Sequence, residues 1–166
     1  FFNMFAVWMF GRIMEMQWGS KKFLLFYLIC GIGAGLTQEL CQFVHYALVY
    51  SHYEVVTIGN GMTMPMLQYL DRILTVGASG AVYGILLGYG MTFPDNQLFI
   101  IPFPFPIKAK WLVVGYIVLE LGLGIRNSAA DNVAHFAHLG GMLAGFLMIL
   151  YWRHKERKDN HIKFTW

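Results

Sequence analysis

Long apolar runs, one stopped by a proline and the last by a basic tail, point to helices packed inside a bilayer. One run extends from Phe23 to about Tyr50, long enough to cross and emerge. A helix from Ser79 to Phe93 is stopped by Pro94, and Pro102, Pro104 and Pro106 exclude a regular helix from the loop after it. Further helices are expected over Trp111–Ile125 and roughly Val133–Trp152. A first apolar segment, Phe1 to about Met16, is too short to span alone. Between 51 and 76 the pattern is mixed, with Gly59-Asn60-Gly61, Pro65 and an amphipathic piece from Met66 to Leu74. The expected fold class is an all-α membrane protein, a polytopic helical bundle.

Composition agrees. Only 13% of residues are charged and mean hydropathy is +0.52, whereas a soluble domain carries about 25% charged residues. The 18 glycines suit helices that approach closely in lipid. Cys30 and Cys41 lie in or near an apolar segment and read as small buried apolar residues rather than a disulfide or metal site. The chain opens inside an apolar run without an initiator Met, so it is expected to be a fragment whose upstream part carries at least one more helix.

Charge placement predicts orientation. With alternating spans, Arg12, Lys21, Lys22, Lys108, Lys110 and the five basic residues from Arg153 to Lys163 share one side, and only Arg72 and Arg126 lie on the other. The basic side is expected to be cytoplasmic, with 153–166 a charged cytoplasmic tail following the membrane core at 1–152.

Two polar residues stand at the heads of these helices among glycines: Ser79 in Gly77-Ala78-Ser79-Gly80, and His138 in Ala137-His138-Leu139-Gly140-Gly141. Ser79 to Phe93 and His138 to Trp152 each cover about 22 Å, some 8 Å short of a hydrocarbon core of about 30 Å. Both side chains are therefore expected below the outer surface, at one level. Asn3, which lies 12 residues before Glu15, comes out at a comparable depth. Serine in a membrane helix commonly only packs, but an ionisable histidine there is costly and usually functional. Gly141 and Gly145, with Gly80, Gly84 and Gly88, have the spacing of close helix contacts, which would bring Ser79 within reach of His138.

These motifs, in this order, resemble the rhomboid intramembrane serine proteases. Phe2-Asn3, the Glu15-Met16-Gln17-Trp18-Gly19-Ser20 stretch, GASG at 77–80 and AHLGG with G-x-x-x-G at 137–145 all match. The resemblance implies a rhomboid-type bundle with five of the six core transmembrane helices present. It implies a Ser–His dyad without an acidic third member, with Ser79 as nucleophile and His138 as base. Asn3 and the Ser79 backbone N–H would hold the oxyanion, Gly77 would leave room for substrate, and Tyr83 would pack on the imidazole. A family histidine four residues before Asn3 would fall two residues upstream of Phe1. The implied substrates are transmembrane proteins cut near their outer end, entering beside Trp111–Ile125 with the loop before Ser79 as lid. The expected setting is a bacterial inner (plasma) membrane. No cofactor, metal or nucleic acid is called for, and the lipid bilayer is the other partner.

Other polar residues carry less. His135, at i−3 from His138, has two readings, tuning the dyad or facing water in the outer loop, and the second is expected. Glu39 and Glu120 are expected to be hydrated near outer helix ends, a proton relay having no second partner in sequence. His45 and His52 lack the spacing of a zinc site, and Asp131-Asn132 reads as a helix cap. Two other readings remain: a catalytically inactive rhomboid-like protein that binds membrane helices, and a small transporter using Glu39, Glu120 and the histidines. The second lacks inverted repeats or paired broken helices.

Overall fold

A computed structural model describes residues 1–58, 61–70, 78–99, 105–126 and 135–163. Gly77, the rest of the loop before Ser79, Arg72, Gly59-Asn60, Pro102, Pro104 and Asp131-Asn132 lie outside the described residues.

Helices dominate, as the apolar runs require. α1 (Phe2–Ala6), a π-helical turn (Val7–Gly11) and α2 (Arg12–Trp18) form one segment. It ends at Gly19, whose φ of 83° suits glycine and lets the chain turn back. α3 (Ser20–His45) follows and runs into a second π turn at Tyr46–Tyr50. Next come a short antiparallel hairpin, β1 (Val55–Thr57) and β2 (Thr63–Pro65), and one helical turn, α4 (Met66–Leu70). α5 (Ser79–Thr92) is followed by β3 (Gln97–Leu98), β4 (Ile107–Lys108), α6 (Ala109–Arg126) and α7 (His135–Lys163).

The helix positions follow the sequence expectation, with two differences. The mixed stretch contains a hairpin, which the β-branched Val55-Val56-Thr57 and the Asn60-Gly61 pair signal locally. α7 also continues as helix past Trp152 to Lys163. Polarity changes at Trp152, but Lys, Arg and Glu are good helix formers, so the backbone has no reason to stop there.

α5 is the central pillar. Ten of its 14 residues are buried, including Gly80, Gly84, Gly88 and Gly90. α3 and α7 press against it and against each other. Glycine makes this possible at particular contacts. A Cβ on Gly84 would meet the Cys30 Sγ at 2.5 Å, and one on Gly80 would meet the Ala137 carbonyl oxygen at 3.0 Å as well as the Ala34 methyl. One on Gly141 would strike the Gly80 backbone itself. Cys30, fully buried with Phe26, is part of this packing.

The outer surface is apolar: Leu25, Leu28, Ile32 and Leu36 on α3, Val118 on α6 and Leu147 on α7 are all exposed. Among the described residues, α3 with its extension (Ser20–Leu48) and α7 (His135–Lys158) are long and apolar enough to cross a membrane. α5, 14 residues long, covers only about 21 Å.

Charged pairs gather at the Thr92 end of α5. Arg153 donates to the Met91 carbonyl at 2.7 Å, Lys22 pairs with Glu156 at 3.2 Å and lies over the Trp152 ring, and Asp95 meets Lys108 and Lys110 at 3.2 and 2.8 Å. Ser79 occupies the opposite end.

Candidate active site

Ser79 is the first residue of α5, and His138 lies one turn into α7. The glycine contact between these helices brings the two together: His138 Nε2 and Ser79 Oγ are 2.8 Å apart. His138 is buried and Ser79 half-buried. Because Ser79 opens α5, its backbone N–H has no acceptor within the helix. Tyr83, one turn further along α5, stacks on the His138 ring with centroids 4.0 Å apart and planes 8° from parallel. Tyr116 of α6 meets the Tyr83 ring edge-on at 5.6 Å, completing an aromatic column beside the imidazole.

Of the site residues expected from sequence, Ser79, His138 and Tyr83 thus come together. Asn3 is half-buried on α1, which touches α5, but its side chain makes no hydrogen bond to Ser79 or His138. Gly77 lies outside the described residues.

Two expectations need correction. Glu120 is not hydrated, with 2% exposure, and His135 does not face water, with 7% exposure. His135 Nδ1 is 2.6 Å from Glu120 Oε2, a length typical of a charge-assisted hydrogen bond. The same oxygen is 3.1 Å from His138 Nδ1, on the far side of the imidazole from Ser79. Tyr83 also directs its hydroxyl to this carboxylate. Tertiary packing accounts for the burial. Gly124, one turn beyond Glu120, lets α7 close in, since a Cβ there would already touch the His135 Cβ at 3.4 Å and the Phe136 ring at 3.3 Å. A carboxylate carried inside is stable only when paired, and His135 supplies the hydrogen bond, with His138 close by.

Glu120, His135 and His138 each offer one ligand atom, and these atoms lie within 4.8 Å of one another, so they are the described residues that could hold a metal. The observed spacing favours hydrogen bonding. Ligands about 2.0–2.2 Å from a tetrahedral zinc stand more than about 3 Å apart, whereas Glu120 and His135 are at 2.6 Å.

Comparison with known proteins agrees with this architecture. Residues 1–155 match the family model of the Rhomboid domain. The chain belongs to the rhomboid family. Rhomboid protease GluP of Bacillus subtilis is 29% identical over 147 residues, which cover 87% of this chain and 21% of that protein. Rhomboid protease AarA of Providencia stuartii is 27% identical over 168 residues, 96% of this chain and 53% of the relative. RHOMBOID-like protein 4 of Arabidopsis thaliana is 27% identical over 146 residues, 88% and 28% of the two chains. This rhomboid therefore spans between about a fifth and about half the length of these relatives. No solved structure matches it. It is an all-α integral membrane protein, and its relatives include named proteases.

Proposed function

We propose that this rhomboid is an intramembrane serine endopeptidase that cleaves transmembrane proteins near the outer part of the bilayer. The observation that carries the reading is the 2.8 Å approach of His138 Nε2 to Ser79 Oγ beneath a stacked Tyr83. Ser79 Oγ attacks the peptide carbonyl carbon as its proton passes to His138 Nε2. The resulting oxyanion is held by the Ser79 N–H and, after substrate binding, the Asn3 amide. Each such donor contributes about 2.7–4 kcal/mol of transition-state stabilisation. His138 then gives the proton to the leaving amine, and water attacks the acyl-enzyme by the same path in reverse. Gly77 leaves the nucleophile open to an extended substrate backbone.

The basic end of the bundle supports a cytoplasmic C-terminus, with the serine toward the outside. The protease core comprises residues 1–152, and 153–166 form a basic cytoplasmic extension. A bacterial inner membrane is the setting that fits this charge bias. Substrate enters beside α6.

The test is labelling of the full-length, detergent-solubilised protein by a fluorophosphonate probe, with Ser79→Ala and His138→Ala as controls. Labelling that disappears in both variants is the expected result. A folded wild-type protein that does not label would instead make this a catalytically inactive rhomboid-like protein that binds membrane helices.

A further inference from the structure

We propose that Glu120 is a third member of this site: a positioning residue that orients His138 through its Nδ1, and is itself held by His135. The inference rests on the Ser79–His138 reading above and adds to it an acid that the family resemblance does not include.

The imidazole sets the requirement. A neutral histidine has one donor nitrogen and one acceptor nitrogen, and only the form protonated on Nδ1 leaves Nε2 free to accept the serine proton. His138 has Ser79 Oγ at 2.8 Å from Nε2 and Glu120 Oε2 at 3.1 Å from Nδ1. An ionised carboxylate only accepts hydrogen bonds, so its presence at Nδ1 selects the tautomer that a general base needs. The carboxylate also faces the positive charge that His138 acquires when it takes the Ser79 proton.

Glu120 is held for this role. His135 reaches the same Oε2 at 2.6 Å from the turn of α7 before His138, and Tyr83 reaches the carboxylate from α5. The polar groups around His138 are thus Ser79 and Tyr83 from α5, Glu120 from α6 and His135 from its own helix, with Tyr116 behind Tyr83.

One detail distinguishes this arrangement from a static ion pair. His138 Nδ1 is buried and makes no hydrogen bond of good geometry, although Glu120 Oε2 lies 3.1 Å away. The N–H points off the line to the oxygen. The pair is therefore close but not aligned, and catalytic hydrogen bonds commonly align and tighten only when substrate is engaged.

The experiment uses the full-length protein in detergent and reads three things: fluorophosphonate labelling rate, thermal unfolding, and the His138 tautomer by 15N NMR of histidine-labelled protein, assigned with His138→Ala. Wild type is expected to show the Nδ1–H form. Glu120→Gln is expected to lower labelling about 10–100-fold, the range typical when the carboxylate that orients a metal-ligating histidine is lost, and to move His138 toward the Nε2–H form. Glu120→Asp should recover part of the rate. His135→Asn should give a smaller loss than Glu120→Gln, and it serves as the second variant if Glu120→Gln does not fold.

A folded Glu120→Gln protein with wild-type labelling and an unchanged tautomer would overturn the proposal. So would a loss of labelling that tracks unfolding while the tautomer stays unchanged, because Glu120 would then only tie α6 to α7. Wild-type labelling that requires zinc and disappears with chelator would overturn it in favour of a metal site. The tautomer reading does not depend on activity. A tautomer that responds to Glu120→Gln in a wild type that never labels would uphold the positioning role and reject the protease reading instead.

Discussion

The two ends of the bundle both carry charge, but they use it differently. At the Thr92 end, Asp95, Lys108, Lys110, Lys22 and Glu156 pair in the open, with side chains 42–65% exposed. At the Ser79 end, Glu120, His135 and His138 are almost wholly buried and share one carboxylate oxygen. Exposed pairs are screened by solvent and contribute little. A buried group has no water to replace a lost partner, so each contact there has consequences for its neighbours. The number of ion pairs says little about a membrane bundle; their location says a great deal.

Substitutions can break or sharpen this contrast. Ser79→Ala should have the largest effect, reducing peptide hydrolysis about 10⁴-fold or more while leaving thermal unfolding in detergent unchanged. An equally active Ser79→Ala protein would remove the special status of the buried end. Gly141→Ala comes next, because its methyl group would meet the Gly80 backbone rather than a side chain that can move. A loss of about 1–3 kcal/mol, measured by unfolding in a graded denaturing detergent, is expected. Tyr83→Leu removes the ring stacked on His138, an interaction of about 0.5–1.5 kcal/mol, and should slow labelling about three- to tenfold. Asp95→Asn should have the smallest effect. Lys110, and after it Lys108, hold the Asp95 carboxyl below the usual carboxylate range. Its contribution is therefore present at neutral pH and lost as pH falls through that lowered value. The variant and wild type should unfold at nearly the same temperature at neutral pH and converge fully in acid.

Much of this molecule is legible in its amino-acid sequence. The helix positions follow from apolar runs and prolines because a bilayer leaves the backbone few choices. Ser79 and His138 can be paired because helix length converts residue number into depth. Glu120 escapes such a reading for a specific reason: a single acid near the end of a helix looks hydrated when that helix is considered alone. Its burial depends on α7 closing over Gly124, a tertiary event. A signal is nevertheless present. Glu120 lies six residues before Arg126, about 9 Å below the outer end of α6, which is the level expected for Ser79 and His138. The π turns at Val7–Gly11 and Tyr46–Tyr50 have no comparable local signature, since they depend on how each segment meets its neighbours, whereas the strands Val55–Thr57 and Thr63–Pro65 do: they flank Asn60-Gly61.

The glycine contacts of α5 bear on conformational freedom. Ordering a long side chain costs up to about 2 kcal/mol, whereas glycine and alanine have no rotamers to lose. Where Gly80 and Gly141 meet Ala34, Ala137 and each other's backbone, and Gly84 the short Cys30, α3, α5 and α7 come together with little side-chain motion to freeze. In lipid, where apolar burial gives little drive for helices to associate, that saving favours assembly. It also means that the separation between Ser79 and His138 is inherited from two main chains in direct contact rather than from interlocking side chains that could relax.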